Sequence, residues 1–468
     1  MGMRVSVVGL GKLGACMAAA FAGRGVPVVG VDVNRRSIEL VNAGQAPVPE
    51  PGLAERMGRG TDLLRATSDG GEAVLASDIT FVVVPTPSEP DGAFSLAHVS
   101  AVFEQIGQAL RQKEDYHTIV LTSTVLPGST RTALIPLLEA TSGKHCNVGF
   151  GVVYSPAFIA LGSVLRDFLN PDVVLIGESG ERAGAQLEAL YRAVLDNHPP
   201  IRHMAIENAE LTKIALNTFV TVKITFANMI ADLCERLPGG DVDVVTDALG
   251  FDRRVGRHYL KGGLGYGGPC FPRDNLALGF LARTLGTEAP LAAVTDALNR
   301  ASAPRAAARL RPLLGPGKTV AVLGLAYKPG TPVVEESAGV ALALELCETG
   351  ACVVAYDPLA RAEAHAALGD AVALAPSLGA CLAGADMVVV ATPDPAFAAI
   401  DPARLCRDGH EVVVVDYWRL LADRCEGLPG VRYLAAGRSW NDDTNAAQLG
   451  RVWDGRAPAG AAPVFSAL

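Results

Sequence analysis

Three groups of residues in this chain have types and spacings that chemistry could use. The first is Gly262 to Asn275, GGLGYGGPCFPRDN, in which one thiol, Cys270, ends a glycine-rich run. Pro269 and Pro272 restrict the backbone on either side of it. Those neighbours set this thiol apart from the other cysteines of the chain. The second is Gly9-Leu10-Gly11-Lys12-Leu13-Gly14. Glycines at this spacing let a backbone approach a pyrophosphate, and the helix that follows offers it N-terminal amides. The third is Glu210, Lys213 and Asn217, in which the lysine and the amide are four residues apart and share one face of a helix. Taken alone, such a face is more often simply solvated.

The glycine turn needs a strand before it and an acid-terminated strand after it. Val5 to Gly9 is a β-branched run, Ala15 to Arg24 is small and helical, and Val28 to Val31 ends in Asp32. Together they form a dinucleotide-binding unit. Asp32 is placed for a ribose 2′-hydroxyl and favours NAD over NADP, with Arg35 nearby pulling the other way. Further buried strands, Ile79 to Val84, Thr118 to Thr122 and Val173 to Ile176, each end in a turn. Open α/β sheets bind ligands at such carboxyl ends. Thr86 and Thr124, in the first two of these turns, are either cofactor contacts or caps of the next helices.

Glu207 to Arg236 contains no Pro or Gly and repeats apolar residues at helical spacing, which predicts one helix of roughly 45 Å. Its apolar residues, Ile214, Phe219, Ile224, Phe226, Met229 and Leu233 among them, cover more of its circumference than one contact requires. After Pro304 the α/β pattern restarts. Lys318 to Leu323 leads into GLAYKPGT, a helix begins near Ser337, Cys352 to Tyr356 ends in Asp357, Asp386 to Ala391 leads to Thr392, and Glu411 to Val415 ends in Asp416. This second domain keeps Gly324 but has Ala326 and Lys328 in place of the later fingerprint glycines, so it suits a different phosphate ligand.

The expected class is therefore α/β, with two doubly wound, Rossmann-like domains joined by a long central helix and a helical dimerisation segment. The expected boundaries are 1–200 for the NAD-binding domain, 201–303 for a central helical domain with the cysteine loop, 304–456 for the C-terminal α/β domain, and 457–468 for a disordered tail.

Length and composition agree: 468 residues suffice for about two to four domains. The net charge is −9, and no basic run exceeds the pairs Arg35-Arg36 and Arg253-Arg254, which excludes a nucleic-acid footprint. Met1 to Gly14 enters a strand pattern without the leader of a signal peptide, and no apolar stretch reaches the ~18 residues of a membrane span. A cytoplasmic protein without membrane contact is expected. The nine cysteines show no CxxC pair and no Cys/His ligand spacing, supporting neither a disulfide framework nor a metal site. Most should be small buried hydrophobes, with Cys270 the exception.

Several stretches, in order and spacing, resemble the nucleotide-sugar 6-dehydrogenases of the UDP-glucose/GDP-mannose dehydrogenase family. They are Gly9 to Gly14, EPGL at Glu50 to Leu53, PTP at Pro85 to Pro87 and STVLPG at Ser123 to Gly128. The more specific ones are ELTKIALNTF at Glu210 to Phe219, GYGGPCFPRD at Gly265 to Asp274 and GLAYKPGT at Gly324 to Thr331, so the resemblance covers nearly the whole chain. It implies oxidation of the C6 hydroxyl of a nucleotide sugar to a carboxylate with two NAD, through a thiohemiacetal and a thioester on Cys270.

The resemblance also implies roles. Lys213 and Asn217 would donate to oxyanions at C6, Asp274 would activate water or assist proton transfer, and Thr124 would position that water. Lys328 would lie near the substrate diphosphate. NAD would be held by Gly9, Gly11, Lys12, Leu13, Gly14, Asp32, Arg35, Thr86 and Thr124. The sugar nucleotide would be held by Phe158, Lys213, Asn217, Tyr259, Gly263, Gly267 and Lys328, with the loop glycines letting backbone amides close around the sugar. A homodimer packed through the central helix is implied as well. CFPRD is closer to the UDP-glucose branch than to the CLPKD of GDP-mannose enzymes, so UDP-glucose is the default, with UDP-N-acetylhexosamines and GDP-mannose open.

Two stretches depart from the family pattern. PEF, with a second acid after it, appears as SPAFIALGS at Ser155 to Ser163. Ala157 stands where the glutamate commonly assigned to general-base work is expected, and Leu161 fills the second acidic position. TDDxRES appears as TPVVEES, with Glu335 where an arginine is expected. The first departure puts thioester hydrolysis at risk. The second is unfavourable beside phosphates unless the ligand differs.

Overall fold

The computed structural model describes residues 2–59, 61–315, 317–407 and 409–453. The expected disordered tail, 457–468, lies outside them. The chain forms two compact units, Met1–Leu216 with Leu276–Ala289, and Asn217–Asn275 with Pro290–Leu468.

The first unit is built on β1 (Val5–Val8), β2 (Val28–Val31), β3 (Leu64–Thr67), β4 (Ile79–Val82), β5 (His117–Leu121), β6 (Phe150–Tyr154), β7 (Val174–Glu178) and β8 (Ile201–Met204). They form one sheet in the order β3-β2-β1-β4-β5-β6-β7-β8. Strands β1, β4, β5 and β6 are buried at every residue, as a parallel sheet covered on both faces requires, and their β-branched and aromatic runs suit that burial. Helix Lys12–Ala22 buries nine of its 11 residues, all but Phe21 and Met17 being small, so it lies close on the sheet.

Strand β7 runs against β6, with Val153 opposite Glu178 and Tyr154 opposite Gly177. Its carboxyl end therefore lies on the opposite edge of the sheet from those of β1 to β6. This corrects the expectation that the turn after Val173 to Ile176 faces ligand: an apolar run identifies a buried strand but not its direction.

Helix Ile206–Cys234 runs 29 residues without a break. By length and composition it could cross a membrane, with 33% of its most apolar window buried, so the expectation that no apolar stretch reaches span length fails here. Polar residues at both ends are committed to protein partners. Fully buried Glu210 accepts the backbone N–H groups of Gly128 at 2.6 Å and Thr130 at 3.0 Å, and Glu235, just past the helix, accepts that of Gly437 at 2.6 Å.

The second unit carries β9 (Thr319–Leu323), β10 (Cys352–Tyr356), β11 (Ala373–Leu374), β12 (Met387–Val390), β13 (Val412–Asp416) and β14 (Val431–Ala435) in the order β11-β10-β9-β12-β13-β14. Both sheets thus wind outward in two directions from their first strand, and with the long helix they make the expected α/β class. No disulfide joins any of the cysteines, all of which lie among the described residues; Cys16, Cys234, Cys381 and Cys425 are buried, whereas both Cys270 and Cys352 are exposed. A mostly buried set with one exception is therefore not what the fold gives, because Cys352 opens β10 on its solvent side.

Candidate active site

In the first unit the three fingerprint glycines divide the work of the turn. Gly9 has φ +98°, and an added Cβ would lie 2.7 Å from the Val83 carbonyl oxygen. A Cβ on Gly14 would overlap the Gly9 carbonyl oxygen, so this glycine lets the helix close on the turn. Around Gly11 nothing stands within 4 Å of where a Cβ would be. One glycine turns the chain, one packs it and the middle one faces open space, which fits a pyrophosphate lying on the turn. Lys12 and Leu13 open the helix with partly buried side chains.

Asp32 follows β2 and accepts the backbone N–H groups of Leu10 at 2.7 Å and Asn34 at 2.8 Å. It ties the glycine turn to the end of β2, a role its spacing did not reveal, while a carboxylate has lone pairs left for a ribose hydroxyl. Arg35 is exposed at the start of helix Arg35–Asn42. Thr86 is buried and its hydroxyl donates to the Thr124 carbonyl oxygen at 2.7 Å. That bond braces the turn after β4 against the turn after β5.

Lys213 Nζ donates to the Ala157 carbonyl oxygen at 2.9 Å and lies 4.8 Å from the centroid of the Phe158 ring. The lysine is therefore docked at the residue where the family glutamate is missing. One turn earlier, Glu210 anchors the segment that follows Thr124. Burial pushes its carboxyl group above the usual carboxylate range, against the opposing pull of hydrogen bonds from Thr130 and Gly128. Glu210 was visible in the sequence as a polar neighbour of Lys213. Its role was not, because its partners are backbone amides 82 and 80 residues earlier.

In the second unit Cys270 is exposed immediately before helix Phe271–Thr284, and the Asp274 N–H returns to the Cys270 carbonyl oxygen at 2.9 Å. The thiol sits at the amide-rich end of a helix, which favours an anionic sulfur. Asp274 is 1% exposed, and its Oδ2 accepts from Asn217 Nδ2 at 2.6 Å. Expected as an oxyanion donor, Asn217 has one amide hydrogen committed to this carboxylate.

The glycine loop behaves differently from expectation. The Gly263 N–H donates to Asn228 Oδ1 at 2.8 Å, the Tyr266 N–H to Asn299 Oδ1 at 2.9 Å and the Gly268 N–H to the Glu335 carbonyl oxygen at 2.9 Å. Those amides are spent inside the unit and are not offered to a sugar. The space a side chain would need at Gly263 is filled by Trp418, 2.7 Å from an added Cβ, and at Gly267 by the Glu336 carbonyl oxygen. These glycines serve close approach of the loop to its own unit. Tyr259, with φ +61° and 53% exposed, sets its ring edge-on to Phe271 at 6.5 Å. Lys328 Nζ lies 5.8 Å from the Tyr327 ring, and that ring would be 2.6 Å from a Cβ on Gly268.

The turn after β9 repeats the first turn with an insertion. Gly324 has φ +103°, and Asp357 accepts the N–H groups of Leu325 at 2.8 Å and Ala326 at 2.9 Å, as Asp32 accepts that of Leu10. A Cβ on Gly339 would strike the Gly324 carbonyl oxygen just as one on Gly14 would strike Gly9. The packing glycine is not lost but displaced: Gly9 and Gly14 are five residues apart, Gly324 and Gly339 fifteen, and the added loop carries Lys328.

Three family models match in sequence along the chain: the NAD binding domain of the UDP-glucose/GDP-mannose dehydrogenase family at residues 3–195, its central domain at 207–301 and its UDP binding domain at 321–423. UDP-glucose 6-dehydrogenase AglM of Haloferax volcanii is 37% identical over 430 residues, which is 91% of this chain and 99% of that protein. GDP-mannose 6-dehydrogenase of Azotobacter vinelandii is 36% identical over 84% of this chain and 92% of its own length. The solved structure of a UDP-glucose dehydrogenase from the archaeon Pyrobaculum islandicum superposes with a TM-score of 0.83 at 37% identity, covering 94% of this chain and 98% of that one. With its dinucleotide turn, its cysteine loop and all three domain matches, the chain belongs to the UDP-glucose/GDP-mannose dehydrogenase family of NAD-dependent nucleotide-sugar 6-dehydrogenases.

Proposed function

We propose that the protein oxidises the C6 hydroxyl of a nucleotide sugar of the UDP-glucose type to the uronic acid, through a thiohemiacetal and a thioester on Cys270. The observation that carries this reading is the exposed Cys270 at a helix N-terminus with the buried Asp274–Asn217 pair one turn further on. NAD bound at the Gly9–Gly14 turn supplies the hydride acceptor for both oxidations. In the first, the C6 hydroxyl loses its proton and the carbon its hydride, and the Lys213 ammonium stabilises the negative oxygen that develops. The Cys270 thiolate then bonds to the aldehyde carbon, which keeps the aldehyde from escaping. Loss of a second hydride from that carbon leaves a thioester. Water, positioned by Thr124 and relieved of a proton by Asp274, adds to the acyl carbon; the C–S bond breaks and the carboxylate departs. Lys328 meets the substrate diphosphate as a point charge.

UDP-glucose is favoured by the CFPRD sequence and by the wider coverage of relatives named for it. A panel of UDP-glucose, UDP-N-acetylglucosamine and GDP-mannose, scored for two NADH per uronic acid, tests the substrate. Turnover that survives Cys270→Ala would overturn the mechanism.

A second reading has its own observation. With Ala157 beside Lys213, no carboxylate at that residue activates water, and acyl transfer to water becomes the slow step. We also propose a homodimer packed through helix Ile206–Cys234. Phe219, Phe226, Met229, Leu233 and, just beyond it, Leu237 are exposed at intervals of seven, three, four and four residues, which is one helical stripe. A monomeric mass by light scattering at micromolar protein would refute it.

A further inference from the structure

We infer that Asn299, which lies outside every motif in the chain, is a positioning residue for the Cys270 sulfur; this rests on Cys270 being the nucleophile as proposed above. Asn299 grips Tyr266 on both sides of its backbone. The Tyr266 N–H donates to Asn299 Oδ1 at 2.9 Å, and Asn299 Nδ2 donates to the Tyr266 carbonyl oxygen at 2.8 Å. Such a two-bond clamp fixes the orientation of one residue, here four positions before the thiol. The far end of the same tyrosine is held as well. Its buried hydroxyl accepts from Asn275 Nδ2 at 3.0 Å, and Asn275 Nδ2 also reaches Thr221 Oγ1 at 3.1 Å.

These anchors are chosen by position. Asn275 follows Asp274 directly, and Thr221 is four residues past Asn217 on its helix. The hydroxyl end of Tyr266 is therefore fastened to the same turns that carry the Asp274–Asn217 pair, and the backbone end is fastened by Asn299. Gly262 to Gly268 contains five glycines, so the loop pays a large entropic penalty for holding one path, and an unclamped loop would spread its sulfur over many. The approach is close enough to need a glycine: a Cβ on Gly265 would lie 3.0 Å from Asn299 Oδ1 and 2.9 Å from Ser302 Oγ.

The test uses the full-length enzyme with whichever panel nucleotide sugar yields NADH, and reads kcat per folded molecule, both KM values, melting temperature and the pH profile of Cys270 alkylation by iodoacetamide. Asn299→Ala is expected to lower kcat on the order of 10²-fold with KM unchanged, since a misplacement of about 1 Å costs that much. Its alkylation profile should move to higher pH as the sulfur drifts from the helix end. Asn299→Asp, which keeps the acceptor for the Tyr266 N–H, should fall between it and wild type. Gly265→Ala, which wedges the clamp from the loop side, should reproduce the kcat loss, and with Asn299→Asp it carries the comparison if Asn299→Ala does not fold. If Cys270→Ala is inactive while the Asn299 and Gly265 variants keep wild-type kcat and alkylation profile, or lose only melting temperature, the positioning role is wrong. If Cys270→Ala itself turns over, the thiol reading fails first and takes this inference with it.

Discussion

Restoring a carboxylate at residue 157 gives the sharpest test of how this chain hydrolyses its acyl intermediate. Ala157→Glu places the new group at a residue whose carbonyl oxygen is already 2.9 Å from Lys213 Nζ. Two opposite charges about 4 Å apart interact by about 1 kcal/mol in water and about 4 kcal/mol at the effective dielectric near a protein surface. Both partners are partly exposed, so the true value lies between these, and the ammonium makes the new carboxylate a weaker base than a free one. A placed general base contributes about 10²- to 10⁴-fold, and a weakened one belongs near the lower end. Stopped-flow NADH absorbance should show a burst in the present protein followed by a slow steady state. In Ala157→Glu the burst amplitude should be unchanged and the steady rate raised about 10²-fold. Intact-mass spectra during turnover should show the acyl adduct on Cys270 shrinking in step. A steady rate that stays the same or falls, with no adduct in either protein, would refute the reasoning and leave hydrolysis to Asp274 and Thr124.

Three further outcomes follow from the geometry. With Asp32 at the ribose, a 2′-phosphate would face a carboxylate, so kcat/KM should favour NAD over NADP by tenfold or more, about 1.4 kcal/mol; equal values would remove Asp32 from the cofactor site. Gly14→Ala, whose methyl group would strike the Gly9 carbonyl oxygen, should cost about 1–3 kcal/mol of stability, while Gly11→Ala should leave the melting temperature alone and raise KM for NAD; calorimetry beside kinetics checks the contrast. His117 is fully buried between Thr80 and Lys113, and burial first, then Lys113, pushes its imidazole down to about 3. The unfolded chain, with an ordinary histidine near 6.5, takes up the proton that the folded one refuses, so stability should fall as pH drops from 6.5 toward 4.5 by roughly 2–3 kcal/mol. His117→Gln should flatten that limb in denaturant titrations, and an unchanged slope would refute the assignment.

Much of the fold was legible because buried parallel strands are continuous apolar runs and the glycine turn has a fixed spacing. What the sequence hid was direction and partnership. Val174–Glu178 reads as a strand whichever way it runs, and only the pairing with β6 shows that its carboxyl end faces away from the ligand edge. Gly339 could not be recognised as the packing glycine because ten extra residues separate it from Gly324, and nothing local marks a contact that is made only when the helix folds back. Cys270, Asp274, Lys213 and Asn217 were singled out as candidates from local motifs. The partners of Glu210 and Asn299 were hidden because they are backbone groups distant in sequence, those of Gly128 and Thr130 for the first and of Tyr266 for the second. The loop amides were misjudged for the same reason: glycines signal close approach, but not to what.

The two closing glycine pairs imply different freedom to change. In the first turn Gly14 packs directly on the Gly9 carbonyl oxygen, so the path of the turn cannot change without prising the helix from its sheet. In the second, helix Ala338–Cys347 is already secured by the Gly324–Gly339 contact, and the intervening loop can vary in length and charge above an undisturbed foundation. That loop also packs on the thiol segment, with the Tyr327 ring against Gly268 and with the carbonyl oxygens of Glu335 and Glu336. At Glu335 and Glu336 the contacts are main-chain, so the side chains at those two positions can change with the ligand, and an acid can stand where the family has arginine without loss of the Gly268 hydrogen bond.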